Sequence, residues 1–254
     1  MPLFTAQGLS VSIAGHPVCH QLDLRIEAGE RWCLLGRNGA GKTTLLHTLA
    51  GLRRPDTGRL TVQGEVLGHL SHRNRARHIG VLAQEHRDVF PASVLETALT
   101  GRHPWLGPWQ WEGAADRRIA QEALAAVGLA GFETRSTATL SGGERRRLGI
   151  ATLLTQRAPL KLLDEPLNHL DIHQQVRMLD LLTRQNADVG GALLLVLHDL
   201  NLAARYCGKF LMLFGDGTHA QGSHEILDAT HLNRLYGHPL QRIETRRGPV
   251  WIPD

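Results

Sequence analysis

"GRNGAGKTT", residues 36–44, is the stretch on which the reading of this chain turns. Gly36, Gly41, Lys42 and Thr43 stand at the spacing G-x-x-x-x-G-K-[ST]. The preceding "RWCLL" (31–35) is short and mostly apolar, as a buried strand is. The following "KTTLLHTLA" (42–50) has helical spacing up to Gly51. A strand, a glycine-rich loop and a helix make a phosphate cradle. Glycines let successive backbone N–H groups converge on an anion, and the helix N-terminus adds partial positive charge. The expected cradle comprises Gly36, Arg37, Asn38, Gly39, Ala40, Gly41, Lys42, Thr43 and Thr44. Lys42 is expected to reach the β- and γ-phosphates of a nucleotide and Thr43 to ligate Mg²⁺ through its hydroxyl, with Thr44 on an α-phosphate oxygen.

Such a site needs a carboxylate at the end of a neighbouring strand, and "LKLLDEP" (160–166) supplies it. Leu162 and Leu163 lead to Asp164, expected to hold Mg²⁺, and Glu165 is placed to orient and activate an attacking water. Lys161 interrupts the apolar run, and nothing in the sequence explains it beyond a snorkelling side chain.

The 254 residues allow one large domain or two modest ones, and a composition of 42% hydrophobic and 20% charged residues is that of a globular chain. Cys19, Cys33 and Cys207 are widely spaced without a C-x-x-C pair, so neither a disulfide framework nor a zinc site is expected. "MPLFTAQGLSVSIAG" has no basic segment and no long apolar core, so no signal peptide is expected. The longest apolar run, "ALLLVL" (192–197), is far short of the roughly 20 residues that span a bilayer, which leaves only a peripheral membrane role. The net charge of +4 is spread over small clusters such as Arg73/Arg75/Arg77, Arg145–Arg147 and Arg246–Arg247. These read as solvated helix faces, and no nucleic-acid partner is expected. His169 and His173 are four apart, but no third metal ligand is evident.

"LSGGE" (140–144), twenty residues before the acidic strand, resembles the signature motif of ATP-binding cassette (ABC) ATPases. The phosphate loop, Gln84 in "VLAQEH", the signature, Asp164–Glu165, "NHLD" (168–171) and His198 in "LVLHD" follow in the order of that family. The resemblance implies an α/β P-loop NTPase core of the ABC ATPase type, with an inserted α-helical subdomain and an N-terminal antiparallel β portion. It implies ATP and Mg²⁺ as ligands, and a homodimer packed head to tail, in which each signature covers the nucleotide on its partner's phosphate loop. Ser141, Gly142 and Gly143 would then meet a γ-phosphate across the dimer, where bare glycine backbone permits close approach. Gln84 resembles the glutamine that contacts Mg²⁺ and the attacking water, His198 the histidine that bonds the γ-phosphate, and Asp171 the aspartate that communicates across the dimer. Three positions depart from the pattern. Ile13 stands where an adenine-stacking aromatic is usual, unless His16 substitutes for it. Arg146 stands where glutamine is common and Leu167 where threonine is common, neither expected to touch a catalytic group.

"FPASVLETALTGRHPWLGPW" (90–109) is similar to a segment of importer ATPases for iron–siderophore, haem and vitamin B12. It implies that the region from Gln84 to Trp109 receives a coupling helix of an integral-membrane permease, which a substrate-binding protein serves in turn. "LLDEPLNHLDIHQQ" and "LMLFGDG" lean towards the cobalamin members. The expected location is the cytoplasmic face of the inner membrane. The expected organisation is a nucleotide-binding core of residues 1–83 and 151–225, a helical signature subdomain of 84–150, and a C-terminal helix and hairpin in 226–254. A soluble ABC ATPase of cofactor assembly or nucleic-acid processing, without a permease, is the alternative.

Overall fold

The computed structural model describes residues 1–84, 92–246 and 248–254. Its elements begin with β1 (Phe4–Ile13), β2 (His16–Ile26), β3 (Arg31–Gly36), α1 (Lys42–Leu49), β4 (Thr57–Val62) and β5 (Glu65–Val66). Next come α2 (His72–His78), β6 (Ile79–Leu82), α3 (Val94–Leu99), α4 (Ala114–Ala126), α5 (Gly142–Gln156), β7 (Leu160–Asp164) and α6 (Ile172–Asp188). The chain ends with β8 (Ala192–Val196), α7 (Leu200–Tyr206), β9 (Lys209–Leu213), β10 (His219–Gly222), α8 (Ala229–Tyr236), β11 (Leu240–Thr245) and β12 (Gly248–Pro253). They form two compact units, Met1–Gly68 with Ala192–Asp254, and His69–Gly191.

The first unit carries an antiparallel sheet in the order β2-β1-β4-β5, and a second set in which β3 runs parallel to β8 on one side and β9 on the other. The two patterns follow from the side chains. β3 and β8 are apolar and buried along almost their whole lengths, as strands covered on both faces must be. β1 alternates buried and open positions, and its pairing with β2 slips three times between Ala6 and Ser12. At the C-terminus, α8 leads into the β11–β12 hairpin. Asn201 of α7 grips that hairpin at Trp251, donating to its carbonyl at 3.2 Å and accepting from its N–H at 2.9 Å.

The second unit is largely helical, built around the parallel pair β6–β7, with Val81 opposite Leu162 and Leu82 opposite Leu163. α4 stops at Ala126, and Gly128 turns left-handed at φ 75° just after it. Gly101 lies against α5 so closely that a Cβ would sit 2.4 Å from the Thr152 carbonyl oxygen. Beside it Arg102 pairs with Asp116 at 2.9 Å, and Trp105 donates to the Gln156 carbonyl at 2.7 Å. Gly101 and Arg102 of the segment 90–109 thus pack within this helical unit. Phe90 and Pro91 of that segment, like Glu85, His86 and Arg247, lie outside the described residues.

Two readings of charge change. Arg145, Arg146 and Arg147 do not form a solvated face: Arg145 donates to the Leu140 carbonyl at 3.3 Å, and Arg147 to those of Val127 and Gly128 at 3.2 Å each. The last two close the open C-terminus of α4, where a cation is favoured. Arg146 is buried. Lys161, in β7 opposite Gly80, is only 3% exposed, and its ammonium has no hydrogen-bond partner among the described residues. Burial pushes its ammonium down to about 8. No described helix is long and apolar enough to cross a membrane.

Candidate functional site

In the first unit β3 ends at Gly36 and α1 begins at Lys42, so the loop expected to cradle phosphate connects a strand to a helix N-terminus. Gly39 and Gly41 are left-handed at φ 82° and 88°, conformations that cost an L-residue about 1–2 kcal/mol. Space adds a second constraint. A Cβ on Gly41 would lie 2.5 Å from a Val18 methyl, and one on Gly36 would lie 3.1 Å from the Leu213 carbonyl oxygen. Arg37, Asn38 and Gly39 form the exposed tip, while Ala40 and Lys42 are buried and Thr43 and Thr44 half-buried. The Lys42 ammonium donates to the carbonyls of Gly36 at 2.8 Å and Arg37 at 3.0 Å, which holds it over its own loop. In the same unit Ile13 and His16 face each other across the β1–β2 turn, both exposed. His198 follows β8 and is exposed, and the adjacent Asp199 caps α7 through the N–H groups of Asn201 at 2.8 Å and Leu202 at 2.9 Å.

In the second unit Asp164 is the last residue of β7 and fully buried. Glu165, next to it, has φ 49°, a left-handed conformation that a glutamate seldom adopts. Hydrogen bonds to both its side chain and its backbone hold it there. Its carboxylate Oε2 accepts from the Gln84 amide at 3.0 Å and the Asn168 amide at 2.5 Å. Its carbonyl accepts from the Asn168 N–H at 3.2 Å and the Arg146 guanidinium at 2.7 Å. The same guanidinium donates to Ala83 O at 2.7 Å, to Gln84 O at 3.2 Å and to Asp164 O. Burial lowers the pKa of Arg146, while the carboxylates of Asp164 and Glu165 favour its charge. Arg146, expected to touch no catalytic group, meets the backbone carbonyls of Gln84, Asp164 and Glu165, three residues expected in the site.

The signature opens α5. Ser141 is its N-cap, accepting from the Glu144 N–H at 3.2 Å, while the Glu144 carboxylate accepts from the Ser141 N–H at 2.8 Å. Gly142 and Gly143 form the first turn against His169, and a Cβ on Gly143 would lie 3.0 Å from the His169 carbonyl oxygen. Bare backbone at Gly143 thus has a use within its own chain. Asp171 caps α6 by accepting from the Gln174 N–H at 2.8 Å. Among the described residues no three His, Cys, Asp or Glu side chains are grouped to hold a metal ion.

The structure joins Gln84, Asp164 and Glu165 directly through Arg146 and Asn168, two residues that the sequence reading did not place in the site. Asn168 had a signal in its i,i+3 spacing from Glu165, where a turn returns its amide to the carboxylate. Arg146 had none, because its partners lie as far as 63 residues away.

The pattern of the ABC transporter family matches residues 19–168. The chain is 39% identical over 240 residues to the hemin import ATP-binding protein HmuV of Streptomyces coelicolor, covering 94% of this chain and 85% of that one. It is 36% identical over 230 residues to the ferric enterobactin transport ATP-binding protein FepC of Escherichia coli, covering 90% and 85%. It is 39% identical over 241 residues to the phosphonates import ATP-binding protein PhnC 2 of Pseudomonas aeruginosa, covering 90% and 87%. Among solved structures, a candidate metal-chelate type ABC transporter in an inward-facing conformation superposes with a TM-score of 0.86 at 26% identity, over 100% of this chain and 98% of that one. The fold is accordingly the ABC ATPase fold, with an antiparallel N-terminal sheet, a parallel phosphate-loop core and a helical subdomain. The chain belongs to the ABC transporter family, as its ATP-binding and ATP-hydrolysing subunit.

Proposed function

We propose that this chain powers import of a metal chelate through a membrane permease, working as a head-to-tail dimer that closes on ATP and reopens after hydrolysis. The observation that carries the hydrolytic role is the fixed carboxylate of Glu165, held by Gln84 at 3.0 Å and Asn168 at 2.5 Å. A carboxylate immobilised beside the residue expected to meet the attacking water is placed to accept that water's proton and to orient it towards the γ-phosphate. Gly36 to Thr44 bind the phosphates, with Lys42 as the point charge on the β- and γ-oxygens. His198 bonds the γ-phosphate, Ser141, Gly142 and Gly143 cover it from the partner subunit, and Asp171 communicates across the dimer.

The donors expected for Mg²⁺ suit that ion: the Thr43 hydroxyl, the Asp164 carboxylate and the Gln84 amide oxygen are all hard oxygens. Asp164 is fully buried at a strand end, a place where a carboxylate needs positive charge nearby. When bound, the ion neutralises charge on the phosphates.

The cargo class rests on the haem and ferric-siderophore importer subunits among the relatives, together with the importer-like segment 90–109. Cobalamin belongs to the same class, on the strength of "LLDEPLNHLDIHQQ" and "LMLFGDG". Trp109, 99% exposed, leaves apolar surface at the end of the region proposed to meet the permease, and Trp111, 86% exposed, adds to it just beyond. That docking would hold the chain at the cytoplasmic face of the inner membrane. The test is purification of the tagged chain from detergent-solubilised membranes. A multi-span permease recovered two-to-two with the chain supports the importer. A soluble partner alone, after crosslinking, replaces it with an ATPase that acts without a permease.

A further inference from the structure

The three arginines after the signature donate to backbone carbonyls, and the middle one bonds to both segments that carry the proposed hydrolytic residues. Nη1 of Arg146 donates to Ala83 O and Gln84 O, where β6 runs out. Nη2 donates to Asp164 O and Glu165 O, where β7 runs out. The side chain is 7% exposed. One planar fork thus spans the ends of two neighbouring parallel strands from the second turn of α5.

We propose that Arg146 is a positioning residue for ATP hydrolysis: its guanidinium fixes the Glu165 carbonyl, and with it the left-handed backbone that aims the Glu165 carboxylate, in register with Gln84 and with the signature helix. This rests on the proposed roles of Glu165 and Gln84. Glu165 at φ 49° is a conformation of higher energy that survives only where its surroundings over-determine it. Asn168 supplies one bond to the carbonyl and one to the carboxylate, and Gln84 a second to the carboxylate. Arg146 supplies the other carbonyl bond and simultaneously holds the backbone of Gln84, so it fixes the donor relative to the acceptor. It does so from a helix whose first turn is Gly142–Gly143, so a displacement of the signature is felt at Glu165 within the same chain. Lysine cannot reproduce this, since its ammonium lacks the two-nitrogen fork that spans both strand ends. Glutamine has one amide nitrogen with two N–H groups, so it cannot give each strand end the pair of bonds that the two guanidinium nitrogens give.

The test is steady-state ATP hydrolysis by the full chain carrying Arg146→Gln, Arg146→Lys or Glu165→Gln, with nucleotide affinity measured separately by equilibrium binding. The expected result for Arg146→Gln is a kcat lower by about 10- to 100-fold, the range for a small displacement of a reacting group, with KM and ATP affinity within about twofold of wild type. Arg146→Lys, which keeps the charge and guards against simple loss of folding, is expected to fall between the two. Folded Arg146→Gln and Arg146→Lys proteins with wild-type kcat would overturn the proposal, as would a loss carried by KM alone. Wild-type turnover in Glu165→Gln would instead overturn the hydrolytic role on which the proposal rests.

Discussion

At the phosphate loop the left-handed positions are glycines, Gly39 at φ 82° and Gly41 at φ 88°; after β7 they are Glu165 at φ 49° and His169 at φ 65°. The difference follows from what each segment is proposed to offer a nucleotide. The loop presents backbone N–H groups, so a side chain there would obstruct, and glycine makes the turn without strain. The segment after β7 presents a carboxylate, so the side chain is required and the backbone must be forced. Arg146, Asn168 and Gln84 supply that force. The phosphate loop is shaped by what its residues lack, the segment after β7 by bonds from within the second unit.

The contrast can be broken at several points. Gly41→Ala meets both the left-handed penalty and the Val18 methyl 2.5 Å away, and is expected to lower stability by about 3 kcal/mol or more, with ATP binding lost. Urea unfolding and equilibrium nucleotide binding read the two effects. Lys161, three residues before Asp164, strains the second unit by burial instead of by backbone. Its folded-state pKa of about 8 lies below the roughly 10.4 of an unfolded lysine, so between those values the unfolded chain binds more protons. Its penalty is therefore full below about pH 8 and disappears as pH rises towards 10.4. Lys161→Met is expected to gain about 3 kcal/mol at neutral pH and to lose this pH dependence, as followed by denaturant unfolding at pH 7, 8, 9 and 10.

The strain at Glu165 has its own signature. Glu165→Gly and Glu165→Ala both remove the carboxylate, but glycine is expected to be the more stable of the two by about 1 kcal/mol, because it accepts φ 49° freely. Equal stability would mean that the left-handed backbone costs nothing. The smallest effect belongs to the base. Ile13 is 47% exposed where a stacking aromatic is usual, and Ile13→Tyr is expected to tighten ATP binding by about fivefold, roughly 1 kcal/mol, in a fluorescence titration.

How much of this the sequence discloses follows the same division. The phosphate loop is legible because its chemistry demands glycines, a lysine and a hydroxyl within nine consecutive residues, between a strand and a helix. Asp164 and Glu165 are legible for a related reason, at the end of an apolar run. Arg146 is not, since its partners stand 18 to 63 residues away and no local pattern marks an arginine that will be buried. The glycines of the signature were legible as bare backbone but not for their contact with His169, which only the folded second unit creates. Gly101 belongs with them: its place in a recognisable segment was visible, but not the Thr152 carbonyl that excludes a side chain.

The central claim is that a rigidly held Glu165 carries out hydrolysis within an ATP-closed dimer, and the most direct measurement is the oligomeric state and turnover of Glu165→Gln at saturating Mg·ATP. Size-exclusion chromatography with light scattering is expected to show a stable dimer, with phosphate release lower by at least about 100-fold. A monomer that still turns over ATP at the wild-type rate would contradict the account.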